Sequence, residues 1–382
     1  MKIGILCYPT YGGSGVVATE LGKGLAKLGH KIHFISYRQP ARLTHYSENI
    51  FYHEVSNVDY PLFEFPPYDT ALTSKIVDIV IHENIDLLHV HYAIPHAAIA
   101  YMAKQILLTY GKLLPIVTTL HGTDITLVGI NRSFSPVVEF SINKSDGVTA
   151  VSESLKNDTY NNFNINRDIE VIYNFIDFER FSKQNKDHFK LAVAPNHEKI
   201  IIHTSNFRKV KRVDDVIKIF SIINKKIPSK LLLIGDGPER QNLEELCRNE
   251  GLNEFVRFLG KQDAIEEILA IGDLFLIPSG SESFGLAALE AMACQVPVIS
   301  SNIGGLPEVN IHGVTGYLCE VGDNESMAHF AIELLSDDNK LQTFRQNALE
   351  QAKRFDINAI LPQYVSYYES IIETVMTEGI SC

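Results

Sequence analysis

Short apolar runs alternate with longer amphipathic stretches along almost the whole chain. The first half contains Ile3–Tyr8, Ile32–Tyr37, Leu87–Tyr92, Ile116–Leu120, Val148–Val151 and Val171–Tyr173. The second half contains Ile200–His203, Leu231–Ile234, Val256–Leu259, Leu274–Ile277, Val296–Ser300 and Gly316–Cys319. Runs this short that stay apolar throughout are strands buried on both faces, and the segments between them are long enough for helices. The pattern predicts an α/β protein with parallel sheets. It thins over 155–198, where Asn157, Asn161, Asn162, Asn164 and Asn166 and then Lys183–Lys190 dominate, and afterwards restarts. That break predicts two doubly wound domains, 1–170 and 171–356, with the junction near Asn174-Phe-Ile-Asp177. The last segment places Ile360, Leu361, Tyr364, Tyr367, Tyr368, Ile371 and Val375 at helical spacing. It predicts a terminal helix with one broad apolar face packed on a domain, in preference to a partner-binding helix.

Length and composition agree with this division. The chain has 382 residues, 45% hydrophobic and 21% charged, values of a soluble globular protein with two cores. The formal net charge of -12 disfavours non-specific binding to nucleic acid or to an anionic membrane. The five cysteines, Cys7, Cys247, Cys294, Cys319 and Cys382, include no C-x-x-C pair and are odd in number. They predict free thiols in a reducing cytoplasm, with neither a disulfide framework nor a zinc site. The apolar start, Lys2 to Tyr8, is stopped by Pro9 and is too short for a signal peptide, and no apolar stretch has transmembrane length. A homo-oligomer is compatible with all of this.

The chemistry-bearing residues cluster where predicted strands end. Glu282 and Glu290 stand eight apart in Glu282-Ser-Phe-Gly-Leu-Ala-Ala-Leu-Glu290, just after an apolar strand. A strand, a glycine-bearing loop and a helix N-terminus make a seat for a phosphate, because unpaired backbone N–H groups point at it. Carboxylates on either side can accept hydrogen bonds from hydroxyl-rich groups, the layout of a nucleotide sugar. Ser205-Asn-Phe-Arg208-Lys-Val-Lys211-Arg212 follows another strand, and its cations suit a diphosphate better than a merely solvated face. Gly235-Asp-Gly-Pro238 reads equally well as a turn or as part of a site. The paired glycines of Asn302-Ile-Gly-Gly-Leu-Pro-Glu308 allow a close backbone approach.

In the first half, Tyr8-Pro-Thr-Tyr-Gly-Gly-Ser-Gly15 leads into a helix predicted to run through Leu28, with Ser14 as N-cap and Gly29 as its stop. The loop is neither G-x-G-x-x-G nor a Walker A sequence, and an ordinary tight turn is the alternative reading. The second strand ends Phe34-Ile-Ser-Tyr37-Arg38 without the carboxylate a dinucleotide site wants, which counts against a nicotinamide oxidoreductase. His89, His91 and His96 lie in Leu88-His-Val-His-Tyr-Ala-Ile-Pro-His96 with no nearby Asp, Glu or Cys to complete a metal site, so a substrate-facing strand end with the Tyr92 hydroxyl is preferred. His121, in Thr118-Thr-Leu-His121-Gly-Thr-Asp124, occupies a similar strand end. A two-domain solute-binding protein is a non-enzymatic rival, but it would normally carry an export signal.

Taken together, these residues resemble the retaining glycosyltransferases of family 4, over nearly the whole chain. The most specific parts are Glu282 and Glu290 with Phe284-Gly285 between them, Gly12-Gly13, and Arg208 with Lys211. The resemblance implies the GT-B fold, two Rossmann-like domains facing a central cleft. The first domain would bind the acceptor, the second the UDP-sugar donor, and the terminal helix 357–382 would cross back onto the first. It implies a retaining transfer with no metal and no cofactor. Glu290 would bind the ribose and Glu282 the donor sugar; Ser283, Phe284, Gly285 and Leu286 would line the diphosphate, with Asn206, Gly13 and Ser14 also on the donor. Arg208 and Lys211 would offset charge on the leaving group, although many members place the arginine where this chain has Asn206. His121 would lie near the reacting carbon. Cys7–Val17, His89–His96, His121–Thr126 and Ser205–Arg212 are most similar to the subgroup that begins bacillithiol synthesis. This implies UDP-N-acetylglucosamine (UDP-GlcNAc) as donor and L-malate as acceptor; the malate carboxylates need donors, and Tyr92 and Thr123, then Ser14 and Arg132, are the candidates. A member acting on another small molecule, a lipid or a polysaccharide is the alternative.

Overall fold

The computed structural model describes residues 1–10, 12–43, 46–56, 67–183 and 186–380. Tyr11 of the first glycine loop and Cys382 lie outside the described residues. The chain forms two compact units: Met1–Asn174 with Ile357–Cys382, and Phe175–Asp356. The first unit therefore runs to Asn174, past the expected limit at 170, because the segment after the last strand still packs on it.

Unit 1 is built on a seven-stranded parallel sheet. Its strands are β1 (Lys2–Leu6), β2 (Lys31–Ser36), β3 (Ile50–Glu54), β4 (Leu87–His91), β5 (Ile116–Leu120), β6 (Gly147–Ala150) and β7 (Ile169–Val171), in the order β3-β2-β1-β4-β5-β6-β7. β4 and β5 are buried along their whole length, as their apolar runs predict. The pattern did not predict β3. It is an edge strand whose residues are half-buried or exposed, so Ile50-Phe-Tyr-His-Glu54 carries no continuous apolar run. Similarly, the helix Glu153–Asn162 lies in the polar stretch that reads as a break. It buries only Leu155 and Thr159, and its start is fixed by Ser152, whose Oγ accepts from Leu155 N–H at 3.0 Å.

Unit 2 has a six-stranded parallel sheet. Its strands are β8 (Lys199–Thr204), β9 (Ser229–Ile234), β10 (Val256–Gly260), β11 (Leu274–Ile277), β12 (Val298–Ser301) and β13 (Gly316–Cys319), in the order β10-β9-β8-β11-β12-β13. In each unit the chain winds outward from one central strand and then restarts on its other side, between β1 and β4 and between β8 and β11. The two loops leaving such a pair diverge, which opens a crevice at the carboxyl ends of the strands. The predicted site residues of each unit follow those four strands or their immediate neighbours.

The terminal helix Ile357–Ile380 packs on unit 1. Gly24 of the helix Gly13–Lys27 lets Leu361 and Ile357 approach its backbone, and Gly147 does the same for Ile371 and Tyr367. The buried Tyr368 hydroxyl bonds His89 Nδ1 at 2.8 Å. Among the described residues no helix is long and apolar enough to cross a membrane. Truncating a fully buried aromatic side chain costs about 3–5 kcal/mol, so Tyr368→Ala is expected to lower the unfolding free energy of unit 1 by that amount, whereas the exposed Glu369→Ala changes it by less than about 0.5 kcal/mol. Urea denaturation followed by fluorescence and circular dichroism checks both.

Candidate functional site

In unit 2 the loops after β8 and β11 are fastened to each other. After β8 the chain runs through the exposed Asn206, the buried Phe207 and the exposed Arg208 into a helical turn, Lys209–Lys211. Arg212 then takes a left-handed conformation (φ 50°) and opens the helix Val213–Asn224. After β11, Gly280 N–H donates to the Val210 carbonyl at 2.8 Å. This bond sets Lys211 opposite Glu282. Lys211 Nζ lies 2.6 Å from Glu282 Oε1, and Ser279 Oγ donates to the same oxygen at 2.9 Å. The two side chains are only 23% and 12% exposed, so the pair is less screened than a surface ion pair. The four cations of the basic segment thus separate. Lys211 joins the Glu282 group, Arg212 is held by Asp215 (Nε to Oδ2, 2.6 Å) at the start of the next helix, and Arg208 and Lys209 point outward.

The Glu282–Gly285 loop is shaped by close backbone contact. A Cβ on Gly304 would overlap the Glu282 carbonyl, and one on Gly305 would overlap Ser283 and Phe284; Gly305 N–H donates to the Glu282 carbonyl at 2.9 Å. The paired glycines therefore serve as the bed of this loop. Gly285 has φ 97° and precedes the helix Leu286–Ala293, whose first-turn N–H groups have no acceptor within the helix. The Phe284 ring is buried edge-on against Phe355 at 5.5 Å, so it anchors the loop and leaves only its backbone for a ligand. Ser283 and Leu286 are half-buried, and Glu290 is buried in the second helical turn. Gly235 and Gly237 prove structural: Cβ atoms there would overlap the Ser205 and Phe207 backbone. Ser279 and His203 were not singled out from sequence. His203 Nδ1 donates to the Leu276 carbonyl and its Nε2 accepts from Ser205 Oγ, both at 2.8 Å, which braces the β8 loop. Their signal was a short hydroxyl or imidazole side chain at a strand end, too common to stand out.

In unit 1 the helix Gly13–Lys27 begins after Gly12, and Ser14 is not its cap. Ser14 lies inside the first turn, and its Oγ accepts from the Tyr92 hydroxyl at 2.6 Å. Tyr92 has φ 84°, a conformation that costs a non-glycine residue free energy and swings its ring over this helix start. The Tyr92 ring lies 5.2 Å from that of His121. His121 Nε2 is 2.8 Å from His91 Nδ1, and His91 Nε2 is buried without a partner among the described residues. A stranded N–H is costlier than a stranded lone pair, so His91 carries its proton on Nδ1 and donates it to His121. His121 is then protonated on Nδ1, which leaves that N–H as its donor. Thr123 is exposed at the start of the turn Thr123–Leu127. Arg132 is exposed, and no hydrogen bond or ion pair among the described residues ties it to the Ser14–Tyr92–His121 group. His89, considered above for metal binding, bonds Thr119 Oγ1 at 2.7 Å through Nε2 and Tyr368 through Nδ1.

Burial lowers four histidines around the strand ends of unit 1: His89 and His121 to about 3, His96 to about 4, and His91 well below 6.5. All are neutral at pH 7. The unfolded chain protonates them near 6.5, the folded chain only far below, so stability falls as pH drops through that interval, by about 1.4 kcal/mol per pH unit for each such histidine. Asp124 acts in the opposite sense. Burial raises it from 3.8 to about 6, so its proton uptake by the folded chain offsets one histidine below that pH. Urea midpoints of unit 1 are expected to fall between pH 7 and pH 5, with unit 2 less affected.

Comparison with known proteins agrees with this architecture. Residues 11–180 match the family model "Glycosyltransferase Family 4" and residues 184–351 match "Glycosyl transferases group 1". The chain is 50% identical over 377 residues to N-acetyl-alpha-D-glucosaminyl L-malate synthase of Bacillus anthracis, covering 97% of each. It is 28% identical over 377 residues to an uncharacterized glycosyltransferase of Methanocaldococcus jannaschii, covering 93% of each. Among solved structures, HepE of Anabaena, in complex with UDP and glucose, superposes with a TM-score of 0.82 at 23% identity, over 97% of this chain and all of that one. Sucrose-phosphate synthase of Thermosynechococcus elongatus gives 0.81 at 20% identity, over 98% of this chain and all of that one. The chain belongs to the family 4 glycosyltransferases and has the GT-B fold.

Proposed function

We propose that this chain transfers N-acetylglucosamine from UDP-GlcNAc to the hydroxyl of L-malate, with retention at the anomeric carbon, as the first step of bacillithiol biosynthesis. The observation that carries this reading is the 50% identity, over 97% of both chains, to an enzyme named for that product. The geometry supports the roles of the Lys211–Glu282 pair, the Leu286–Ala293 helix start and the Ser14–Tyr92–His121 group, whereas the exposed Asn206, Arg208 and Arg132 enter on the family resemblance. In unit 2, Glu290 takes the ribose hydroxyls, and Ser283 with the N–H groups of Phe284, Gly285 and Leu286 meets the diphosphate. Lys211, joined by Arg208 and Asn206, offsets the charge that grows on the leaving group. When the diphosphate draws Lys211 away, Glu282 is released to accept from the sugar hydroxyls. By the family resemblance, Gly13 and Ser14 also belong to the donor's residues. His121 presents its Nδ1–H to the sugar, and Tyr92, Thr123 and Arg132 receive the malate carboxylates.

In the chemical step the bond from C1 to the β-phosphate oxygen breaks and a bond from C1 to the malate hydroxyl oxygen forms on the same face. The proton of that hydroxyl passes to the departing phosphate, and UDP is released. Neither Glu282 nor Glu290 needs to act as a nucleophile, because Glu290 belongs to the ribose. The protein supplies positioning and leaving-group stabilisation, with lysine, arginine and helix N–H groups in place of a metal ion. Buried free thiols at Cys7, Cys247, Cys294 and Cys319 accord with a cytoplasmic setting.

UDP release from UDP-GlcNAc, measured with L-malate and with a panel of other hydroxy acids, sugars and lipid acceptors, tests the substrates. The expected outcome is malate-dependent release; equal release without malate would remove the acceptor assignment. Lys211→Ala is expected to lower kcat by roughly 10²–10³-fold, the cost of losing one transition-state donor, and near-normal turnover would remove its role. Glu290→Ala is expected to weaken UDP binding by about 10–100-fold in a calorimetric titration, the worth of hydrogen bonds to a charged group.

A further inference from the structure

Asp124 closes the His121-Gly-Thr-Asp124 segment, and none of the roles above uses it. Its side chain is buried, 2% exposed. Its two oxygens are divided between two loops. Oδ2 accepts from Ala93 N–H at 2.8 Å, and Oδ1 accepts from Gly122 N–H at 3.0 Å and His121 N–H at 3.3 Å. The first of these amides directly follows Tyr92; the other two belong to His121 and its neighbour. One carboxylate thus holds the backbone behind Tyr92, whose hydroxyl donates to Ser14, and behind His121, whose ring lies against that of Tyr92.

The geometry points to Asp124 as a positioning residue for the transfer. Tyr92 is held at φ 84°, a conformation that a non-glycine residue would leave if released, and Gly122, at φ 108°, is free as a glycine to take other conformations unless its N–H is held. The tie at Ala93 lies one residue from the strained Tyr92, and the ties at His121 and Gly122 lie where β5 gives way to the turn Thr123–Leu127. Only a group with two acceptor oxygens serves all three amides. An amide side chain offers one oxygen, and its NH₂ would face an N–H on the other side. Asparagine therefore lets one loop go, and with it either the Tyr92 ring or the His121 Nδ1–H. The donor seat of unit 2 holds no part of this network.

This role rests on the assignment of Tyr92 and His121 to the reaction, and the test separates the two. Wild-type malate-dependent UDP release examines the acceptor assignment; the ratio of variant to wild type examines Asp124. Asp124→Asn, assayed below its melting temperature and corrected to folded molecules, is expected to lose roughly 30-fold or more in kcat and to raise the KM for malate, since misplacing reactive groups by about an ångström has costs of that order. UDP affinity, read by calorimetry, is expected to stay within twofold. A lower melting temperature with kcat and KM unchanged per folded molecule would assign Asp124 a merely structural role and overturn the inference. If Asp124→Asn does not fold, Asp124→Glu keeps both oxygens but displaces them, and the same split between kcat and UDP affinity is read from it.

Discussion

Unit 2 of this protein depends on one backbone laid against another without side chains between them. Gly304 and Gly305 leave room for the Glu282 carbonyl and the Ser283–Phe284 backbone, and the Gly305 N–H holds that carbonyl. With this loop seated, the helix from Leu286 starts in a fixed direction, and its first N–H groups have no acceptor within the helix. Phe284 locks the loop from beneath. Glu282 then stands where Lys211 can reach it, because the Gly280 to Val210 bond has drawn the β8 loop alongside. The ion pair is a consequence of these backbone contacts, and it keeps a cation ready near a helix N-terminus, where an anion is favoured twice over.

Unit 1 is organised by neutral imidazoles. His89, His91 and His121 run from the terminal helix through the sheet to the strand ends, linked by hydrogen bonds to Tyr368, to Thr119 and between His91 and His121. Burial keeps them uncharged, so they act as directional donors and acceptors. The His91–His121 pair ends with a donor on His121, beside a tyrosine whose strained backbone is tied down by Asp124. The terminal helix thus contributes more than apolar area: its Tyr368 hydroxyl is the partner of the first imidazole.

Much of the fold was legible because parallel strands buried on both faces write themselves as unbroken apolar runs. β3 escaped because an edge strand needs no such run, and Glu153–Asn162 because a helix fixed by its Ser152 cap can bury very little. Glu282, Lys211 and the glycine pairs could be named from spacing alone, but their relations could not. Lys211 and Glu282 are 71 positions apart and meet only because β8 and β11 are neighbours. Of four adjacent cations, sequence gives no means of telling that Arg212 turns to Asp215 while Lys211 turns to Glu282. Ser14 was readable as polar and near a helix start; that it accepts from Tyr92, 78 positions away, depends on the β1–β4 neighbourhood.

The central claim is that a preformed seat in unit 2, made by the β8 and β11 loops and the start of the Leu286–Ala293 helix, holds the uridine diphosphate. Amide hydrogen exchange with and without UDP tests it most directly. The account predicts slowed exchange on adding UDP in two segments, 206–212 and 282–290. Protection absent from both, or confined to the 91–96 and 121–124 segments of unit 1, would contradict it.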